Sequence, residues 1–161
     1  MLVHHFGSKE GLIIAVMEKV RANFQSLFEA AAPRASKGEP TDIMLGFWQS
    51  ITSSKNLPYL RLLFEVQILA IQNPKRYKRY LVDTSSSWQR LIESALPQGK
   101  LRVATATLNT AVIDGLILEL LSTGDFRRTS NALKLFVAQF GNSAGKVHAI
   151  RARSRKVSLR R

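Results

Sequence analysis

The residues that could do chemistry are few and scattered. Cysteine is absent, which removes both thiolate nucleophiles and disulfide frameworks. Of the three histidines, His4 and His5 are adjacent near the N-terminus, and His148 lies in a basic stretch near the C-terminus. The chain has no His-Glu-x-x-His pair and no phosphate-cradling glycine loop. The hydroxyl run Thr84-Ser85-Ser86-Ser87-Trp88 lacks the Gly-x-Ser-x-Gly setting of a nucleophile elbow. Asp114 and Glu119 are five residues apart, so on a helix they do not share a face as a catalytic or di-metal pair would. The expectation is a protein that is not an enzyme and carries no cofactor and no metal. The chemistry left is binding. Ser8 is placed to cap a helix, and that helix N-terminus together with Lys9 would form a positive site suited to a phosphate oxygen.

The elements that must position these residues all read as helices. Beyond Ser8, Ile13, Val16, Met17, Val20, Phe24, Leu27 and Phe28 recur at helical spacing and predict a helix running to about Ala32, before Pro33. A second helix is expected from Pro40, carrying Ile43, Met44, Phe47, Trp48 and Ile51 and fading through residues 52–56. A third spans about Leu57 to Gln72. Asn73-Pro74 reads as N-cap and first position of a fourth, ending at Pro97-Gln98-Gly99. The fifth, about Leu101 to Ser122, is apolar over most of its circumference and must be buried on two sides. Thr123-Gly124-Asp125 breaks it, and a sixth follows from about Arg127 to Phe140. The pattern predicts one all-α domain of about six helices.

With 161 residues, 45% hydrophobic and 22% charged, the chain has enough material for a single core. The most apolar stretch, Val112 to Leu121, is interrupted by Asp114 and Glu119 and is too short to span a bilayer, and no signal peptide is legible. No membrane association is expected, and the lack of cysteine fits a cytoplasmic protein. The net charge of +13 is unevenly placed. Lys146, Arg151, Arg153, Arg155, Lys156, Arg160 and Arg161 form a stretch with no acidic residue, which holds more than half of the excess. Residues 144–161 are read as a basic, disordered tail.

Residues 2–12, Leu-Val-His-His-Phe-Gly-Ser-Lys-Glu-Gly-Leu, resemble the end of the helix-turn-helix of TetR-type (tetracycline-repressor-like) transcription regulators and the start of the helix that follows it. Leu2, His5, Phe6, the Gly7-Ser8 turn, Lys9 and Leu12 match the pattern, while Val3 stands where a tyrosine is usual. The resemblance implies that residues 1–7 are a remnant of the recognition helix and that His4, His5 and Lys9 lie at the DNA side. It implies further that residues 8–143 are the ligand-binding and dimerisation domain. Because the helices that should precede Leu2 in a helix-turn-helix are missing, the chain is read as truncated at its N-terminus. It is expected not to bind an operator sequence-specifically unless they are restored.

Ala111-Val112-Ile113-Asp114-Gly115-Leu116, continuing to Gly124-Asp125, resembles the penultimate helix of the same family. There the last two helices pack against their copies as a four-helix bundle. The resemblance therefore implies a homodimer, with Ile113, Gly115, Leu116, Ile117, Leu120, Leu133, Phe136, Val137 and Phe140 as candidate interface residues. It also implies an effector pocket among the second to fifth helices, with Phe47, Trp48, Phe64, Gln67, Ile68, Trp88 and Asn109 as candidate lining residues. The function expected is that of an effector-responsive, repressor-like regulator, in which a small-molecule ligand tilts the first long helix. The alternative is a head-less dimerising module that binds a ligand or a partner without touching DNA.

Overall fold

A computed structural model describes residues 8–31 and 40–139, and among them there is no strand. Six helices follow one another: α1 (Lys9–Ala31), α2 (Pro40–Ile51), α3 (Leu57–Gln72), α4 (Pro74–Ser94), α5 (Arg102–Thr123) and α6 (residues 126–139). The all-α expectation holds, and the helix boundaries fall where local chemistry puts them. The Ser8 hydroxyl accepts from the Gly11 amide at 3.0 Å, satisfying one of the orphan donors at the start of α1. Gly124 closes α5 in the left-handed region at φ 70°, its amide donating to Leu120 O at 2.8 Å. The next residue, Asp125, accepts from the Arg128 amide at 2.9 Å and so caps α6.

One cap differs from the sequence reading. Asn73 occupies the N-cap position of α4, but its side chain makes no cap bond there. Its side-chain amide instead donates to Leu69 O at 2.9 Å, a second bond to a carbonyl at the end of α3 that also accepts the Asn73 backbone N–H at 3.1 Å. Pro74 supplies the helix start without that cap, because its missing N–H would have been an orphan in any case.

Two contiguous clusters make the interior. The larger joins Phe24 and Phe28 of α1, Phe47, Trp48 and Ile51 of α2, and Leu60 of α3 to Ile113, Ile117 and Leu120 of α5 and to Leu133 and Val137 of α6. The smaller lies at the other end of α1, where Met17 meets Val66, Ala70, Tyr77 and Tyr80. Trp48 ties α2 to α6, its indole Nε1 donating to Ser130 Oγ at 2.9 Å, which removes the cost of burying that N–H. Arg76 of α4 reaches Glu10 of α1 at 3.0 Å, an exposed pair of little energetic weight.

The fifth helix is the one whose environment its sequence did not settle. Ile113, Ile117 and Leu120 turn inward, while Leu108, Ala111, Gly115, Leu118 and Ser122 form an exposed band along its other side. Within one chain, then, α5 is buried on one side rather than two. By length and composition alone this 22-residue helix is long and apolar enough to cross a membrane, because it extends well past the apolar run that was too short, and only 22% of its most apolar window is buried. Against that stand Asp114 and Glu119 in its middle and second half, the latter in an ion pair with Arg128 of α6.

Candidate ligand-binding cavity

Side chains from α1 to α5 converge without filling the space between them, and leave a cavity of about 420 Å³. That is the size range of small-molecule sites, a few hundred to about 1,000 Å³. Its walls are mostly apolar. Phe28 meets Phe47 edge-on, with ring centroids 5.3 Å apart at 76°, and Phe47 meets Trp88 at 5.9 Å. These aromatic pairs are rigid and lock α1, α2 and α4 around one end of the space. Phe64 and Gln67 of α3 and Asn109 of α5 line it from the remaining sides.

The mouth lies between α4 and α5. Ser85 and Gln89 stand on one side; Thr107, Ala111 and Asp114, at spacings of four and three residues, face it from the other. Gln89 spans the two helices, donating to Val103 O at 3.1 Å and accepting from the Thr107 hydroxyl at 3.4 Å. Below it, Arg102 bonds to Glu93 O, which joins the end of α4 to the start of α5.

Three titratable groups line the cavity. Tyr80 is buried, and loss of hydration raises its phenol, an effect partly offset by the neighbouring Thr84 hydroxyl and Arg21 charge. Arg21 lines the cavity from α1. Asp114 is open to water at the mouth, yet the protein packed around it removes enough hydration to push its carboxyl from 3.8 up to about 6. No ion pair or hydrogen bond reaches that carboxylate among the described residues. The Thr84 hydroxyl oxygen, also in the lining, is buried without a partner in good hydrogen-bond geometry.

Of the residues expected from the sequence to line a pocket, Phe47, Phe64, Gln67, Trp88 and Asn109 face this cavity. Trp48 and Ile68 do not. Each is one position past a lining residue, so it points about 100° away around its helix: Trp48 into the α2–α6 contact and Ile68 to solvent, where it is 52% exposed. Arg21, Tyr80, Thr84, Gln89 and Asp114 were not expected. For Asp114 the signal was present in α5, where Thr107, Thr110 and Asp114 share a face of an otherwise apolar helix. Among the described residues, no group of three or more His, Cys, Asp or Glu could hold a metal ion.

The residues expected at a dimer interface divide. Ile113, Ile117, Leu120, Leu133 and Val137 are consumed by the chain's own core, and Leu116 and Phe136 pack partly against it. Gly115 is exposed, with open space where a Cβ would stand. Exposed apolar residues remain instead at Leu108, Ala111, Gly115 and Leu118 on α5 and at Ala132, Leu135 and Ala138 on α6, as they do at Ile68, Leu69 and Ile71 on α3. Of the expected DNA-side residues, Lys9 is exposed at the first position of α1. His4 and His5 lie outside the described residues, as do Phe140 and the basic stretch from residue 144. No protein family, curated protein or solved structure matches the chain.

Proposed function

We propose that this chain is the effector-binding and dimerising body of a TetR-type transcription regulator, and that the α1–α5 cavity takes its small-molecule effector. The observation that carries the reading is the cavity itself: mostly apolar-walled, with exposed lining residues on α4 and α5, and built from side chains of five successive helices. Support for the regulatory part comes from α1. Its middle supplies Met17 and Arg21 and its C-terminal half Phe24 and Phe28 to the cavity, and its first turn, capped by Ser8, carries Lys9 at the end of the helix-turn-helix-like motif. A ligand that pushed on those four side chains would displace the helix that bears the phosphate-seeking end. The effector would thereby shift a population between two placements of the DNA-side segment.

Dimerisation is proposed through the outer band of α5 with Leu135 of α6. Leu118 and Leu135 are 50% and 60% exposed there, a cost that a second copy would remove. Exposed Gly115 near the middle of the band allows two α5 backbones to approach closely. Size exclusion coupled to light scattering tests the reading. The expected mass is about twice 18.0 kDa, falling to 18.0 kDa in Leu118→Glu with its helical spectrum unchanged. A folded monomer at high concentration in the unsubstituted chain would overturn the dimer and remove the two-headed regulator with it.

A further inference from the structure

Taking the cavity as an effector site, as proposed above, we propose that it selects organic cations: a quaternary or protonated amine set against Asp114 at the mouth, with an aromatic or branched apolar body between Phe64, Phe47 and Trp88.

The charge arrangement favours this ligand class. Asp114 is a carboxylate with no cationic partner and no hydrogen bond among the described residues, in surroundings that strip part of its hydration. A lone anion of that kind is a cost to the empty protein, and a cation of low hydration is what offsets it. A quaternary ammonium loses little hydration on entering an apolar space and gains from the faces of aromatic rings. Trp88 and Phe64 supply such rings in the same cavity.

The other titratable groups lining the space are Arg21 of α1 and Tyr80 of α4; the lining residues of α2 and α3 and the rest of α4 and α5 carry no charge. The Arg21 charge acts on the neighbouring Tyr80 phenol, and among the described residues no ion pair joins Arg21 to Asp114. An anionic ligand held by Arg21 is therefore the competing occupant. It would have to leave Asp114 unpaired, so the observations favour the cation. Because the carboxyl titrates near 6, the site would be charged at pH 7.5 and mostly neutral at pH 5.

Benzyltrimethylammonium, its uncharged isostere neopentylbenzene, and octanoate distinguish these occupants when titrated against the full chain, with Trp88 fluorescence and calorimetry as readouts. The expected result is a preference for the cation over the isostere of about tenfold or more at pH 7.5. That preference should shrink at pH 5 and disappear in Asp114→Asn, with isostere binding retained. Asp114→Glu should keep it, which separates charge from shape. Equal binding of cation and isostere, or an unchanged cation affinity in Asp114→Asn, overturns the selectivity while leaving the cavity as a ligand site. A preference for octanoate that is lost in Arg21→Gln overturns it in favour of an anion. Failure of all three compounds to bind a folded chain overturns the ligand-site reading and this inference together.

Discussion

Replacing Asp114 by asparagine should stabilise the protein at neutral pH, although it changes one atom in each side chain and removes no contact. The carboxyl titrates at 3.8 in an unfolded chain and at about 6 in the fold, because burial penalises its charged form. Its folded-state pKa is raised, so between those values the native state binds more protons than the unfolded state, and stability falls as pH rises through the window. Well below pH 3.8 the group is neutral in both states and costs nothing; above about pH 6.5 nearly the full cost is present. At about 1.4 kcal/mol per pH unit the displacement bounds that cost at about 3 kcal/mol. The carboxylate faces water at the mouth of the cavity, so screening reduces the expected value to about 1 kcal/mol. Urea unfolding of the two proteins at several pH values between 3 and 8 measures it. The difference between them should grow from nearly zero at pH 3 to about 1 kcal/mol above pH 6.5 in favour of the variant. Ion-paired Glu10 and Glu119 are common to both proteins and cancel in the difference. A variant less stable at pH 7.5, or a difference independent of pH, would refute the claim that this carboxylate is held against its hydration.

Leu133→Ala, at a position with no exposed surface between α2, α5 and α6, should cost about 3–5 kcal/mol in the same unfolding assay, and a loss below about 1 kcal/mol would mean the α6 contact is not part of the core. Two glycines on or beside α5 should respond in opposite senses. Gly124→Ala forces a side chain into φ 70° and should destabilise by about 1 kcal/mol. Gly115→Ala adds a methyl group to open space and should raise the helix's stability in a monomer by up to about 1 kcal/mol, while weakening self-association measured by sedimentation if the outer band of α5 meets its copy. Ser8→Ala removes the cap on α1 and should cost about 1 kcal/mol, detected as faster amide exchange through residues 9–12.

How much of this protein was legible before it was folded depends on the range of the forces involved. Helix existence and boundaries were, since they rest on interactions a few residues long: the Ser8 hydroxyl on the Gly11 amide, Pro74 at a helix start, Gly124 in the only backbone region that ends α5 as it does. Even there, Asn73 spent its side chain on the preceding helix, a choice between two neighbours that spacing does not rank. Half-apolar helices also declared their inner faces. For α1 the predicted stripe from Ile13 to Phe28 contains the buried Met17, Val20, Phe24 and Phe28, with Val16 at its exposed margin, because its polar residues leave little choice of phase. In α5 that phase was undetermined. Apolar residues lie on several of its sides, and although Ile113–Ile117–Leu120 is the bulkier set, Leu108 and Leu118 offered a second face; the packing of α2, α3, α4 and α6 closed on the first alone. The same selection turned Asp114, discarded as half of a failed catalytic pair, toward the mouth of a cavity. A helix sequence fixes which residues share a face, since that is covalent geometry; which face meets the interior is a competition among burial energies, and it is decided only when the other helices are in place.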